Sequence, residues 1–234
     1  MKKEAQAVVL LLVGGTILKI SFGGTYTRYV KPGLLPLLLI AGVVLIVIAG
    51  ATLWQIVRAA RSEEPSHSHG ESKVGWLLLL PALALLLFAP PALGSYQASR
   101  NGTALSSQAE SDFPPLPAGD SVELSVLDYA SRAVFDAKTL TGRESRLTGF
   151  VIPGPNGVPY LARMVVACCA ADGRPIKVGL AGDVPADLKP DQWIEVDGTY
   201  IERSDRDPVN SDMIPYLQVT SLRTIPTPDQ QYIS

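Results

Sequence analysis

The residues with the most chemistry in this chain fall in one stretch, Arg163-Met-Val-Val-Ala-Cys168-Cys169-Ala-Ala-Asp172. The chain has two cysteines, and they are adjacent. Two thiols with a carboxylate three residues on form a soft-metal donor set, since thiolates favour zinc or copper(I). Three local ligands do not close a structural zinc site, so a fourth would come from elsewhere in the fold or from a partner. Adjacent strand residues point to opposite faces. Both thiols therefore reach one ion only if the strand ends or bulges there. A redox pair is a second reading. A bond between neighbouring cysteines closes a strained ring, because ordinary bridges have Cα atoms farther apart than neighbours allow, and strained disulfides are labile. Packing alone is the third reading, with one small cysteine in a core and the other at its rim.

A second donor group is His67 and His69 in the segment SEEPSHSHGES. His-x-His with acidic neighbours can loosely hold a divalent cation, and an ordinary polar loop is the plainer reading. The sequence has no nucleophile elbow, phosphate loop or His-Glu-x-x-His motif. Residues 97–234 contain no histidine, so acid–base work there would fall to carboxylates, and no pair stands out. Neither a catalytic residue nor a small-molecule substrate is identifiable from these patterns.

The elements that must position these groups are of two kinds. Hydrophobic residues make up 47% of the 234 and charged residues 18%, against about 25% charged in soluble domains. The deficit is local: residues 1–96 hold eight Lys/Arg and four Asp/Glu, and residues 97–234 hold twelve and eighteen. The apolar runs at 33–57 and 74–96 carry no charge, and each is long enough to cross a membrane as a helix. A third run, 5–22, contains Lys19, which can snorkel to an interface, with Tyr26 and Tyr29 following at headgroup depth. Three transmembrane helices are expected in a membrane domain spanning 1–96, in contact with membrane lipid. Lys2, Lys3, Arg58, Arg61 and Lys73 against Arg28 and Lys31 place the N-terminus and the second loop inside. The C-terminal domain is then extracytoplasmic, and His67 and His69 lie across the membrane from Cys168 and Cys169.

Residues 97–120 read as an exposed tether rich in Ser, Ala, Pro and Gly. From 121 to 234 a soluble domain is expected. Residues 121–137 have helical spacing with Ser121 as N-cap. Strands are expected at 146–152, 160–169, 175–180, 193–202 and 216–225, with a bulge at Gly198 and a short helical turn within 183–190. That order fits an all-β, OB-like five-stranded barrel with one preceding helix, and a small open β-sandwich is the alternative. The domain is acidic and lacks a basic stripe interleaved with aromatics, which excludes nucleic acid as a partner.

The chain resembles the YcgQ-like family of bacterial membrane proteins. The resemblance rests on membrane segments followed by PSHSHGES, then Leu127-Asp128-Tyr129, Leu140-Thr-Gly142-Arg143, Leu147-Thr-Gly149-Phe150, Cys168-Cys169-Ala-Ala-Asp172 and Trp193-Ile-Glu-Val-Asp-Gly198-Thr. The phrase RAVFDAKTLTGRESRLTGFV resembles the actinobacterial branch. The family has no established activity, and its members are often encoded beside a multi-span permease, so the resemblance implies a permease partner. Three functional readings follow: an accessory protein of a permease, a thiol-active or metal-handling protein, and a structural envelope docking protein.

Overall fold

The computed structural model describes residues 3–61, 83, 91–105 and 113–233. The chain divides into two compact units, Met1–Pro91 and Ala92–Ser234. The third apolar run lies mostly outside the described residues, and His67 and His69 lie wholly outside them.

The first unit contains the helices Lys3–Phe22 and Leu35–Arg61, packed on one another. Two stretches within it, Glu4–Phe22 and Pro32–Ala59, are long and apolar enough to cross a membrane, with mean hydropathies of 1.9 and 2.9. Leu37, Ile40, Val43, Val47 and Trp54 are exposed on the second helix. A core helix of a soluble domain would bury such residues. Outward apolar faces of this length fit membrane anchoring.

The second unit is a closed five-stranded barrel. Strand β1 is Ser121–Glu123, β2 Glu144–Pro153, β3 Pro159–Val165, β4 Arg174–Gly182, β5 Trp193–Arg206, β6 Met213–Thr224 and β7 Tyr232–Ile233. Strand β2 pairs antiparallel with β3 and β5, β3 with β4, and β5 with β6; β4 and β6 run parallel and close the ring. This is the order of an OB-type Greek key, and the closed ring displaces the open sandwich as the architecture. Strands β1 and β7 are short parallel additions to β2 and β3.

Alternation along the strands produces two apolar clusters. Leu147, Leu161, Ile176, Val178, Ile194 and Leu217 face inward and are capped by Tyr129 and Ala130 of the helix Val126–Phe135. Phe150, Ile152, Tyr160, Met164, Trp193 and Tyr216 face outward and are nevertheless buried.

Several expected boundaries differ. The helix expected at 121–137 begins at Val126, because Ser121–Glu123 pairs with Glu144–Arg146 as a strand. Its N-cap is Ser125, whose hydroxyl accepts from Asp128 N at 2.9 Å, rather than Ser121. Residues 183–190 form turns without a helix. The bulge at Gly198 is present as a register shift between Asp197 and Gly198.

The end of the third apolar run and the start of the stretch read as a tether are structured. Residues 92–105, here called the strap, lie along the barrel and include the helix Ser95–Arg100, so residues 92–96 belong to the barrel unit rather than to the span expected to reach 96. Ala98 and Leu93 pack on the outward cluster. Ala104 N donates to Pro175 O at 2.8 Å, and Lys177 N donates to Thr103 Oγ1 at 3.2 Å. Strand β4 meets β6 only from Gly179 onward, so the strap takes the edge of β4 that the ring leaves unpaired. Pro175 is tolerated there because its carbonyl, and not an N–H, is needed. In OB folds the face of strands two and three with the loop between strands four and five receives ligands. Here the chain's own strap lies on that face.

Candidate functional site

The peptide leaves β3 after Val165, where Val166 N donates to Ile233 O. It does not continue as a strand to Cys169 as expected. The cause is Asp172. Its Oδ1 accepts from Ala167 N at 2.8 Å, and its Oδ2 accepts from Cys168 N at 2.8 Å and Cys169 N at 3.2 Å. Three consecutive N–H groups turned toward one carboxylate cannot also serve a ladder. Residues Ala170–Asp172 then form one 3-10 turn.

This turn removes the geometric objection raised by strand alternation. The two Sγ atoms lie 3.6 Å apart, and with an Asp172 oxygen the three donor atoms fall within 4.8 Å of one another. Two thiolates about 2.3 Å from one tetrahedral zinc would be separated by roughly 3.8 Å. The observed spacing therefore suits a four-coordinate ion. A linear two-thiolate ion would need a separation near twice the bond length, about 4.6 Å on the same bond. Asp172 has about four lone-pair positions as a carboxylate: three accept backbone N–H groups and the fourth holds the Cys168 thiol proton. That position opens to an ion once the thiol is deprotonated, and the three donors leave a fourth coordination position open.

Neither cysteine packs in the barrel: Cys168 is exposed and Cys169 half-buried. Cysteines that serve only to fill space are usually buried, so packing alone does not account for this pair. The Cys168 thiol is pushed up to about 11, first by its hydrogen bond to the Asp172 carboxylate and then by Cys169. The Cys168 thiol and the backbone N–H groups of Cys168 and Ala167 in turn hold Asp172 well below the usual carboxylate range. At neutral pH Cys168 is a protonated thiol and a poor spontaneous nucleophile. An ion binding here displaces a proton.

Beside the site, Asn101–Leu105 of the strap, Ala171–Arg174, Asn210 and Asp212 line a groove of about 570 Å³. Two of its strap residues, Asn101 and Thr103, are bonded to an ion pair that the spacing of the sequence does not signal. Lys177 Nζ donates to Asp207 Oδ2 and to Asn101 O, each at 2.8 Å. Thr103 N donates to the same Asp207 oxygen at 2.8 Å. At the start of the strap, Asp191 accepts from Ser95 N and Ser95 Oγ, and Tyr232 Oη accepts from Leu93 N. Asp191 and Asp207 sit in turns whose composition looks like ordinary loop, so nothing local marked them.

Residues 5–104 match a family model described as the DUF1980 N-terminal domain, and residues 129–234 match the DUF1980 C-terminal domain. No curated protein and no solved structure matches the chain.

Proposed function

The chain belongs to the DUF1980 family, and we propose that it is a membrane-anchored accessory protein whose barrel presents Cys168 and Cys169 to a soft metal ion of the zinc type. The observation that carries this reading is the 3.6 Å separation of two solvent-accessible thiols held on one turn by Asp172. An open fourth position suits capture and release of an ion better than permanent structural binding. The apolar helices supply the anchor. The distribution of Lys and Arg favours three spans and an extracytoplasmic barrel, and the partner is a permease in the same membrane, to which the barrel presents the ion.

The test uses the full-length protein in detergent. Zinc competed against a chromophoric chelator binds with one ion per chain, and binding is lost in Cys168→Ser and in Cys169→Ser. Zinc uptake that survives the double substitution overturns the assignment. Partnership is tested by co-purification from detergent extracts. A chain that purifies alone, and whose deletion leaves permease function intact, would reject that part.

A further inference from the structure

The turn that carries the donors touches the strap on two sides. Gly173 directly follows Asp172 and packs beneath Leu93, where a methyl group would overlap Leu93 Cδ1. Leu93 is tied through its N–H to Tyr232 Oη at 2.8 Å. On the other side, Ala171–Arg174 and Asn101–Leu105 form two walls of one groove, joined by the Ala104 to Pro175 hydrogen bond. In sequence the strap begins within the apolar run 74–96. The N-terminal family model also runs through the strap to residue 104.

An ion at Asp172 pulls on this arrangement. Both lone pairs of Oδ2 are held by the N–H groups of Cys168 and Cys169, so coordination falls to Oδ1, which also holds Ala167 N. The carboxylate moves with the turn Ala170–Asp172, whose ends are fixed by Asp172 N to Cys169 O and Gly173 N to Ala170 O. Rotation of that turn is taken up at Gly173, and the space above Gly173 is filled by Leu93. Close-packed contacts pass displacement on rather than absorb it.

We infer that ion binding at Cys168, Cys169 and Asp172 shifts the strap through the Gly173–Leu93 contact, coupling the thiol site to the segment that leads into the membrane. This rests on the metal reading above. Coupling of this kind is reciprocal, so a partner that fixes the strap changes the affinity of the thiol pair for the ion.

The experiment is hydrogen exchange on the full-length protein in detergent, with and without one equivalent of zinc, beside chelator competition on the same sample. Amides of residues 93–104 change their exchange by about fivefold or more on zinc binding. In Leu93→Ala the ion still binds and the strap response is lost. Gly173→Ala, which crowds Leu93, changes strap exchange in the metal-free protein in the direction that zinc does. Zinc uptake with unchanged strap exchange overturns the coupling and leaves the ion site standing, as does a Leu93→Ala response equal to wild type. Failure of the wild-type protein to bind zinc overturns both.

Discussion

Lys177 Nζ stands 2.8 Å from Asp207 Oδ2, and the residues are only 3% and 1% exposed. Lys177 comes from β4 and Asp207 from the turn after β5, and the pair also holds Asn101 O and Thr103 N of the strap. Removing one partner leaves the other charge buried and uncompensated, which typically costs about 3–5 kcal/mol. Lys177→Met and Asp207→Asn are each expected to lower stability by an amount of that order in urea unfolding of the full-length protein. Limited proteolysis should cut first within residues 92–105.

The same pair sets a pH dependence. Burial pushes Asp207 up, but the hydrogen bond from Lys177 and the N–H groups of Val209 and Thr103 outweigh it, and the net shift is downward. A carboxylate lowered in the folded state contributes stability that is complete above its unfolded value, about 3.9, and is lost as pH falls through its folded value. Strap protection in wild type should therefore be flat from pH 8 to about pH 5 and fall only below about pH 4. In Lys177→Met burial acts without its main opponent, so the loss should begin at higher pH. Hydrogen exchange as a function of pH checks both curves.

Asp172 restrains the reactivity of the thiol beside it. Cys168 is pushed up to about 11 by that carboxylate, so little thiolate is present at pH 8. Asp172→Asn removes the charge, lowers the Cys168 value and raises its thiolate fraction. Alkylation at pH 8 should speed up by about tenfold or more, while the midpoint of the alkylation–pH profile moves down. An unchanged midpoint would mean that the carboxylate does not control the thiol.

The barrel was legible because strand alternation, the turn residues and the bulge at Gly198 are local signals. The helix start at Ser125 and the strand at Ser121 were not, because Val122, Val126 and Tyr129 fit helical spacing as well as a strand followed by a helix. Tertiary pairing of Ser121–Glu123 with β2 decides between them. At the site, residue types alone pointed to Cys168, Cys169 and Asp172. The early end of β3 depends on one carboxylate collecting three N–H groups, which no periodicity records. The strap was missed for a related reason. It holds by polar contacts to Asp191, Lys177 and Asp207, distant in sequence, and by the small apolar residue Ala98, so it has no apolar period of its own.

Gly179 and Tyr216 give a packing test of the outward cluster. A Cβ at position 179 would stand 2.5 Å from the Tyr216 ring. The ring cannot retreat freely, because its hydroxyl and that of Tyr160 both donate to Asp205 Oδ2 and Arg203 lies 4.0 Å over its face. Gly179→Ala should cost about 1–3 kcal/mol in urea unfolding. Gly179→Ala combined with Tyr216→Leu should recover part of that loss.

Asp191 separates capping from backbone strain. Its φ of 66° lies in the left-handed region, where residues with a Cβ are held at a cost of about 1–2 kcal/mol and Asn or Asp fare best. Its carboxylate accepts from Ser95 N and Ser95 Oγ, and Ser95 is buried, so losing the acceptor leaves two buried donors unsatisfied. Asp191→Asn keeps one acceptor oxygen and tolerates the same φ, so it should be the mildest change. Asp191→Gly loses the cap and relieves the backbone. Asp191→Ala loses the cap and keeps the strain, for a total of about 2–4 kcal/mol. The expected order of stability is wild type, Asn, Gly, Ala. Urea unfolding of the four proteins reads it directly, and an alanine variant as stable as the glycine one would show that the left-handed backbone at this position carries no cost.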